Sequence, residues 1–140
     1  MRIKDNEDLL ILQIEFETYE EKEKVLTLIN TMNTKIIGYK RDKKYFIQIE
    51  SIYYIELIDK KTFINTKEEC YESPLWLYQI EEQLDQQFIR VNKSTILNMK
   101  YIKSLKADIG SRIIVYLDNQ DQVLVSRTYA KEFKKRLGGE

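Results

Sequence analysis

The stretch FIRVNKSTILNMKYIKSL, residues 88–105, decides the fold because it sets a dense group of polar donors between two strand-type apolar runs. Ile, Val, Phe and Tyr at this density are typical of β-strands. We predict that residues 95–97 form an apolar turn between the runs. The donors are of types that contact phosphates and base edges, and they are Arg90, Asn92, Lys93, Ser94 and Asn98.

Short β-type runs separated by polar turns continue through the rest of the chain from residue 35. Eight runs are candidate strands: IIGY, KYFIQI, IYYIELI, TFINT, FIRV, YIKSLKA, RIIVYL and QVLVSR. The DNQD segment at residues 118–121 predicts a hairpin turn. One short helix should begin near Pro74 with Ser73 as its N-cap, and another should span residues 128–137 and end at Gly138. This pattern predicts a mainly β fold, α+β overall, with antiparallel sheets and short flanking helices.

The first 34 residues follow a different pattern. Residues 8–16 read as a strand, and the apolar positions Val25, Leu28, Ile29 and Met32 then recur at the spacing of an amphipathic helix. We therefore predict an N-terminal βα extension at residues 1–34 and a main β domain at residues 35–140. Three roles stay open for the extension: a dimerisation surface, a surface for another partner, or a lid over one sheet.

Charge is distributed unevenly along a chain whose 23 basic and 23 acidic residues cancel overall. Residues 1–32 hold four basic and eight acidic side chains, a net charge of −4, whereas residues 88–140 hold eleven basic and five acidic ones, a net charge of +6. A basic C-terminal region is typical of a nucleic-acid binder, although a solvated lysine-rich face gives the same excess.

The composition argues against enzyme chemistry. Histidine is absent, which removes the usual acid–base group at neutral pH and the commonest metal ligand, and four glycines leave no phosphate-binding loop. We predict no catalysis, no metal and no cofactor. Cys70 is the single cysteine, no apolar run approaches a membrane span, and the N-terminus lacks a signal-peptide pattern, so we expect a cytoplasmic protein.

Two further polar sets accompany the donors of residues 88–105. Ser126 and Arg127 stand where the last predicted strand meets the last helix, and Lys60, Lys61 and Thr62 form the predicted tip between two strands. Arg127 would then project from a helix N-terminus, whose free amides favour phosphate. Taken singly, these sets are also compatible with a solvated hairpin turn, a helix N-cap and a turn-forming asparagine.

In this order and spacing, the three sets resemble the LytTR family of bacterial DNA-binding domains. The matching segments are IESIYYIELIDKKTFI (residues 49–64), FIRVNKSTILNMKYI (88–102) and VLVSRTYAKEFKKRL (123–137). The resemblance covers about residues 35–137 and implies an elongated β sandwich of antiparallel sheets, whose loops enter successive grooves on one side of a DNA duplex.

The resemblance also implies roles for individual residues. Lys61, Thr62 and Arg127 would enter major grooves, and Lys93 would approach the backbone or the minor groove between them. Arg90 and Ser94 would support or contact phosphate, and Asn98 would fix the turn. Asn92 stands where many family members carry histidine. The candidate DNA-binding set is Lys60, Lys61, Thr62, Arg90, Asn92, Lys93, Ser94, Ser126 and Arg127.

We therefore expect a bacterial transcriptional regulator that binds double-stranded DNA sequence-specifically, takes no small-molecule substrate and does not insert into a membrane. LytTR domains commonly follow a receiver domain, which 34 residues cannot hold, so a stand-alone member is expected. A homodimer on repeated half-sites stays open. One alternative is a protein-interaction module of the same fold that acts on a membrane partner. Another is a single-strand or RNA binder, which would need exposed aromatics, whereas strand alternation predicts Tyr101 and Tyr116 in the core.

Overall fold

The computed structural model describes residues 18–32 and 34–138, with side chains described for residues 18–25 and 34–138. A helix, α1, spans Tyr19–Met32 and confirms the predicted N-terminal helix. The predicted strand at residues 8–16 lies outside the described residues. So do the side chains of Leu28, Ile29 and Met32, three of the four residues in the predicted apolar stripe.

Ten strands form two antiparallel sheets within the described ranges. The large sheet has the order β2-β1-β5-β4-β3-β7-β6 and consists of β1 (Lys35–Lys40), β2 (Lys43–Gln48), β3 (Tyr54–Ile58), β4 (Lys61–Asn65), β5 (Cys70–Ser73), β6 (Phe88–Asn92) and β7 (Thr95–Asn98). The small sheet has the order β10-β9-β8 and consists of β8 (Ile102–Ala107), β9 (Ile113–Leu117) and β10 (Gln122–Val125). Helix α2 spans Leu77–Glu81 and α3 spans Arg127–Arg136.

Each face of the large sheet contributes to a separate core. One face packs against α2 around the residues Ile36, Ile47, Ile49, Ile52, Ile55, Ile64, Leu77, Ile80, Phe88 and Ile96. The other face, at its β6–β7 end, packs against the small sheet and α3 around Tyr53, Ile89, Val91, Leu97, Ile113, Val115, Leu117, Val123, Val125, Ala130 and Phe133. Two antiparallel sheets packed in this way, with short helices beside them, confirm the predicted β sandwich.

Each of the eight predicted runs contains a strand, but two strands were not predicted. Residues 95–97 belong to β7, whose four residues are all buried, so the predicted apolar turn is wrong. The turn consists only of Lys93 and Ser94, and β7 then pairs with both β6 and β3. A central strand that is buried on both faces reads as a continuous apolar run, which alternation does not reveal. Strand β5 is the second one missed.

The predicted start of the helix near Pro74 is also wrong. Ser73 ends strand β5, and its hydroxyl accepts a hydrogen bond from the Leu75 amide at 3.1 Å. Helix α2 begins only at Leu77, after Trp76, whose amide donates to Gln79 Oε1 at 2.8 Å. The last helix begins one residue earlier than predicted, and the DNQD turn between β9 and β10 is confirmed. None of the helices in the described part of the chain has the length and apolarity needed to cross a membrane.

Candidate nucleic-acid interface

The hairpin between β3 and β4 presents two exposed lysines. Ile58 pairs with Lys61, so the turn consists of Asp59 and Lys60, which have positive φ angles of 50° and 67°. This is the geometry of a two-residue hairpin turn whose twist matches that of the strands. Lys60 and Lys61 are exposed, but Thr62 is only 2% exposed. The prediction that Thr62 stands at the exposed tip is therefore wrong, because so short a turn places it inside β4 with its side chain in the core.

The turn between β6 and β7 is held from one side by Arg90. The Arg90 guanidinium donates to both carboxylate oxygens of Glu81, at 3.2 and 3.0 Å, and to the Lys93 carbonyl oxygen at 2.8 Å. A two-point contact of this kind fixes the plane of the guanidinium. Arg90 therefore ties the turn to the end of α2, while the side chain of Lys93 remains exposed.

Asn92 holds the same turn from the other side. Its Nδ2 donates to the Leu124 carbonyl oxygen on β10 at 2.8 Å. Its Oδ1 accepts hydrogen bonds from the amide of Ser94 at 2.9 Å and from the Ser94 hydroxyl at 3.1 Å. Both ends of the Asn92 amide are thus engaged within the protein, and they connect the Lys93-Ser94 turn to the small sheet.

A second hydrogen bond fastens the same two strand ends. The Ser126 amide donates to the Val91 carbonyl oxygen at 2.9 Å. We call this bond, together with that from Asn92 to Leu124, the junction. Arg127 follows directly as the first residue of α3, and Ala130 and Phe133 anchor that helix in the core. The side chain of Ser126 makes no capping hydrogen bond, and Arg127 is exposed.

All three polar sets lie at one end of the two sheets, which we call the basic end. The Lys60 tip follows the last residue of β3, and the Leu57 amide near that strand end donates to the Ser94 carbonyl oxygen at 2.8 Å. The junction then connects the Ser94 turn to the start of α3 and Arg127. Four exposed cations of these three sets make no ion pair with any described residue: Lys60, Lys61, Lys93 and Arg127.

At the opposite end of the sheets, two aspartates of the β9–β10 turn connect the sheets a second time. The Tyr53 hydroxyl donates to Asp118 at 2.5 Å, and the Tyr54 hydroxyl donates to Asp121 at 3.0 Å. Burial, and then these hydrogen bonds, raise the pKa of both tyrosines well above the usual range. Burial and the nearby charge of Asp121 also raise the pKa of Glu56. The two tyrosines therefore join the start of β3 to the β9–β10 turn.

Asn98 has a structural role, although it fixes the end of strand β7 and not the turn at residues 95–97 that was predicted. It is completely buried, and its Nδ2 donates to the Ile52 carbonyl oxygen at 2.9 Å. Its Oδ1 accepts from the Lys100 amide at 3.0 Å and caps the short 3₁₀ turn Met99–Tyr101. Asn98 therefore fixes the end of β7 and does not face solvent.

Comparison with known proteins places this architecture in a family. The sequence model of the LytTr DNA-binding domain family matches residues 42–138 of this chain. An "Uncharacterized HTH-type transcriptional regulator" of Staphylococcus aureus (strain NCTC 8325 / PS 47) is 30% identical over 129 residues, which cover 89% of this chain and 88% of the relative. A regulator of the same description from strain N315 is 31% identical over 118 residues, which cover 81% of this chain and 80% of the relative.

A solved structure agrees with these relatives. A LytTr DNA-binding domain from Bacillus cereus has 31% sequence identity and a TM-score of 0.72, and the match covers 75% of this chain and 97% of that domain. The chain therefore belongs to the LytTR DNA-binding domain family. The term HTH in the relatives' descriptions does not fit the described residues, where at least five strands separate each helix from the next.

The hydrogen bonds of the junction predict how the basic end responds when the side-chain amide of Asn92 is removed. Asn92→Ala should speed amide hydrogen exchange at Ser94 and Ser126 by about tenfold, because the hydrogen bonds that it removes contribute about 1 kcal/mol or more to local stability. Hydrogen exchange measured by NMR checks this. Asn119→Ala, which removes an asparagine amide from the turn at the opposite end, serves as the control and should leave both amides unchanged. Unaltered exchange in Asn92→Ala would contradict the assigned role.

Proposed function

We propose that this chain regulates transcription by binding double-stranded DNA sequence-specifically through its basic end. Membership of the LytTR family identifies DNA as the ligand. The arrangement of the contacts is supported by one observation: three polar segments that are far apart in sequence meet at the same end of a hydrogen-bonded β scaffold, with four exposed cations that no described acid neutralises. Such cations are suited to phosphate oxygens and to the acceptor groups of base edges.

Within this proposal, the residues divide into contacts and supports. Lys60 and Lys61 would enter one major groove, Arg127 would enter another, and Lys93 would approach the backbone or the minor groove between them. The Ser126 hydroxyl would donate to a phosphate beside the start of α3, where free amides also favour anions. Arg90, Asn92 and Ser94 would position these groups through the hydrogen bonds already described, and Thr62 would support the tip from the core.

We extend the proposal to the wider protein. The domain boundary lies near residue 34, ahead of a DNA-binding domain at residues 35–140. The protein acts in the cytoplasm, has no catalytic activity, and binds repeated half-sites as a homodimer. Symmetric binding of this kind would match two copies of the basic end to two similar DNA sequences.

Single-stranded nucleic acid is a weaker candidate ligand. Tyr101 stacks on Tyr53, with ring centroids 3.9 Å apart and an angle of 5° between the planes, so its face is not free for a base. The prediction that Tyr116 lies in the core is wrong. Tyr116 is half-buried on the outer face of the small sheet, opposite Gln122 and beside the β9–β10 turn, so it is remote from the exposed cations of the basic end.

Salt dependence tests binding to duplex DNA. If about four phosphates are neutralised per protomer, the logarithm of the affinity should fall against the logarithm of the salt concentration with a slope of about −3.6. Fluorescence anisotropy of a labelled duplex in a series of potassium chloride concentrations gives this slope. An affinity that hardly changes with salt would contradict the proposed contacts, and tighter binding of an equally long single strand would favour the alternative ligand.

Arg127→Lys separates specific recognition from general attraction. A guanidinium can contact guanine at two points, which contributes about 1–3 kcal/mol of discrimination that a lysine cannot replace. The variant should therefore weaken binding to a selected operator much more than binding to random DNA. Titrations of both duplexes at equal salt, with the operator taken from selection on a random library, provide the ratio.

Lys103→Ala is the matched control because Lys103 is an exposed cation on β8, in the small sheet and away from the three segments. This substitution should reduce both affinities by a similar small factor, since a phosphate contact carries no sequence information. An unchanged ratio in a folded Arg127→Lys variant would assign base reading to Lys61 instead.

A further inference from the structure

One face of the large sheet is only partly covered. The small sheet and α3 cover this face at the β6–β7 end, but at the β1–β2 end three large side chains remain exposed: Ile37 at 37%, Tyr39 at 40% and Phe46 at 64%. Ile37 and Phe46 are direct cross-strand neighbours, so they form one continuous apolar patch, which we call the open face.

The opposite face of the same two strands is closed. A methyl group added to Gly38 would lie 2.7 Å from Ile47 Cδ1 and 2.8 Å from Tyr71 Cβ, so no space remains there. The open face is therefore the side of this hairpin that can accept another part of a protein.

The hairpin that carries the open face also has a free edge and a strong positive charge. Among the described strands, β2 pairs only with β1, so its outer backbone groups have no strand partner. Residues 35–48 contain five basic side chains and one acidic side chain, a net charge of +4. Lys40 forms an ion pair with Glu69, whereas Lys35, Arg41, Lys43 and Lys44 form none with the described residues.

We propose that residues 8–32 of the same chain occupy this surface. In this arrangement, residues 8–16 pair along the free edge of β2, and α1 lays its apolar stripe over the open face. The charges are complementary, because residues 1–32 carry a net charge of −4 beside the +4 hairpin. Of residues 18–25, only Val25, the first member of the stripe, is partly buried, whereas Tyr19, which is off the stripe, is 75% exposed.

The chain is long enough for this contact within one molecule. Only residues 33 and 34 separate α1 from β1, and the Thr34 carbonyl oxygen accepts a hydrogen bond from the Ile49 amide at 2.8 Å, which fixes the linker beside the end of β2. A 14-residue helix is about 21 Å long, close to the roughly 20 Å of a six-residue strand. Helix α1 can therefore run back along β1 and deliver residues 8–16 to the edge.

The handedness of crossover connections selects the same face. Strands β5 and β6 run parallel, and α2 between them covers the closed face. A strand at residues 8–16 that is antiparallel to β2 would run parallel to β1. The connection from that strand through α1 to β1 would cross the sheet in the same direction as the connection from β5 through α2 to β6. The strands that the two connections join point in opposite directions, because β1 and β5 are antiparallel. Because both crossovers should be right-handed, α1 belongs on the opposite face from α2, which is the open face.

Hydrogen exchange on the full chain tests this proposal. Backbone amides of residues 8–16 and 25–32 should be protected in the native protein, and Phe46→Asp should raise their exchange rates by about tenfold or more because it removes a large apolar contact. Ile109→Asp is the control. Ile109 is 83% exposed in the turn between β8 and β9, so this substitution should have no effect on these amides. Unprotected amides in the native protein would overturn the proposal.

A second variant covers the case in which Phe46→Asp disturbs β2 itself. The double substitution Lys43→Glu and Lys44→Glu reverses charge at two exposed positions and should also speed exchange in residues 8–32 while β3 and β4 stay protected. No change in either variant, with the sheet intact, would overturn the docking site. Sedimentation in the same buffer identifies the donor chain: protection in a monomer supports docking within one chain, and protection that appears only in a dimer contradicts it.

Discussion

The end of β6 is fastened to the end of β10 by two hydrogen bonds, from Asn92 to the Leu124 carbonyl oxygen and from the Ser126 amide to the Val91 carbonyl oxygen. The two sheets share a core, but apolar packing is not directional and does not by itself fix where their ends lie relative to one another. Directional bonds at the junction do so. They hold the residues next to Lys93 on the large sheet and next to Arg127 on the small sheet. The proposed contacts to separate DNA grooves require the distance between these two side chains to be constant.

The basic end and the β9–β10 turn carry different charges, although the charges of the whole chain cancel. Tyr53 and Tyr54 donate to Asp118 and Asp121 at one end, and Lys60, Lys61, Lys93 and Arg127 lie exposed at the other. Each strand runs from one end of the sheets to the other, so residues that are far apart in sequence meet at the basic end. A duplex at the basic end would therefore meet these four cations away from Asp118 and Asp121, which supports steering toward that end.

Local sequence patterns were sufficient for most strands and for α3, because alternation, turn residues and the terminal glycine act over a few positions. Strand β7 was missed because both of its faces are buried, and Thr62 was misplaced because the turn holds only Asp59 and Lys60, so that Lys61 and Thr62 already belong to β4. The role of Asn92 depends on Leu124, 32 positions further along the chain. No local pattern contains that contact, so the hydrogen bonds that hold Asn92 within the protein could not be predicted from the residues around it.

The most direct test of the junction is a double-mutant cycle on operator affinity with Asn92→Ala and Arg127→Ala. The two side chains make no described contact with each other, so any coupling must pass through the placement of the turn and α3. If the junction positions Arg127, Asn92→Ala should cost much less once Arg127 is removed, with a coupling energy of about 0.5–3 kcal/mol. Effects that add to within about 0.3–0.5 kcal/mol would contradict the claim that the junction sets the geometry of DNA recognition.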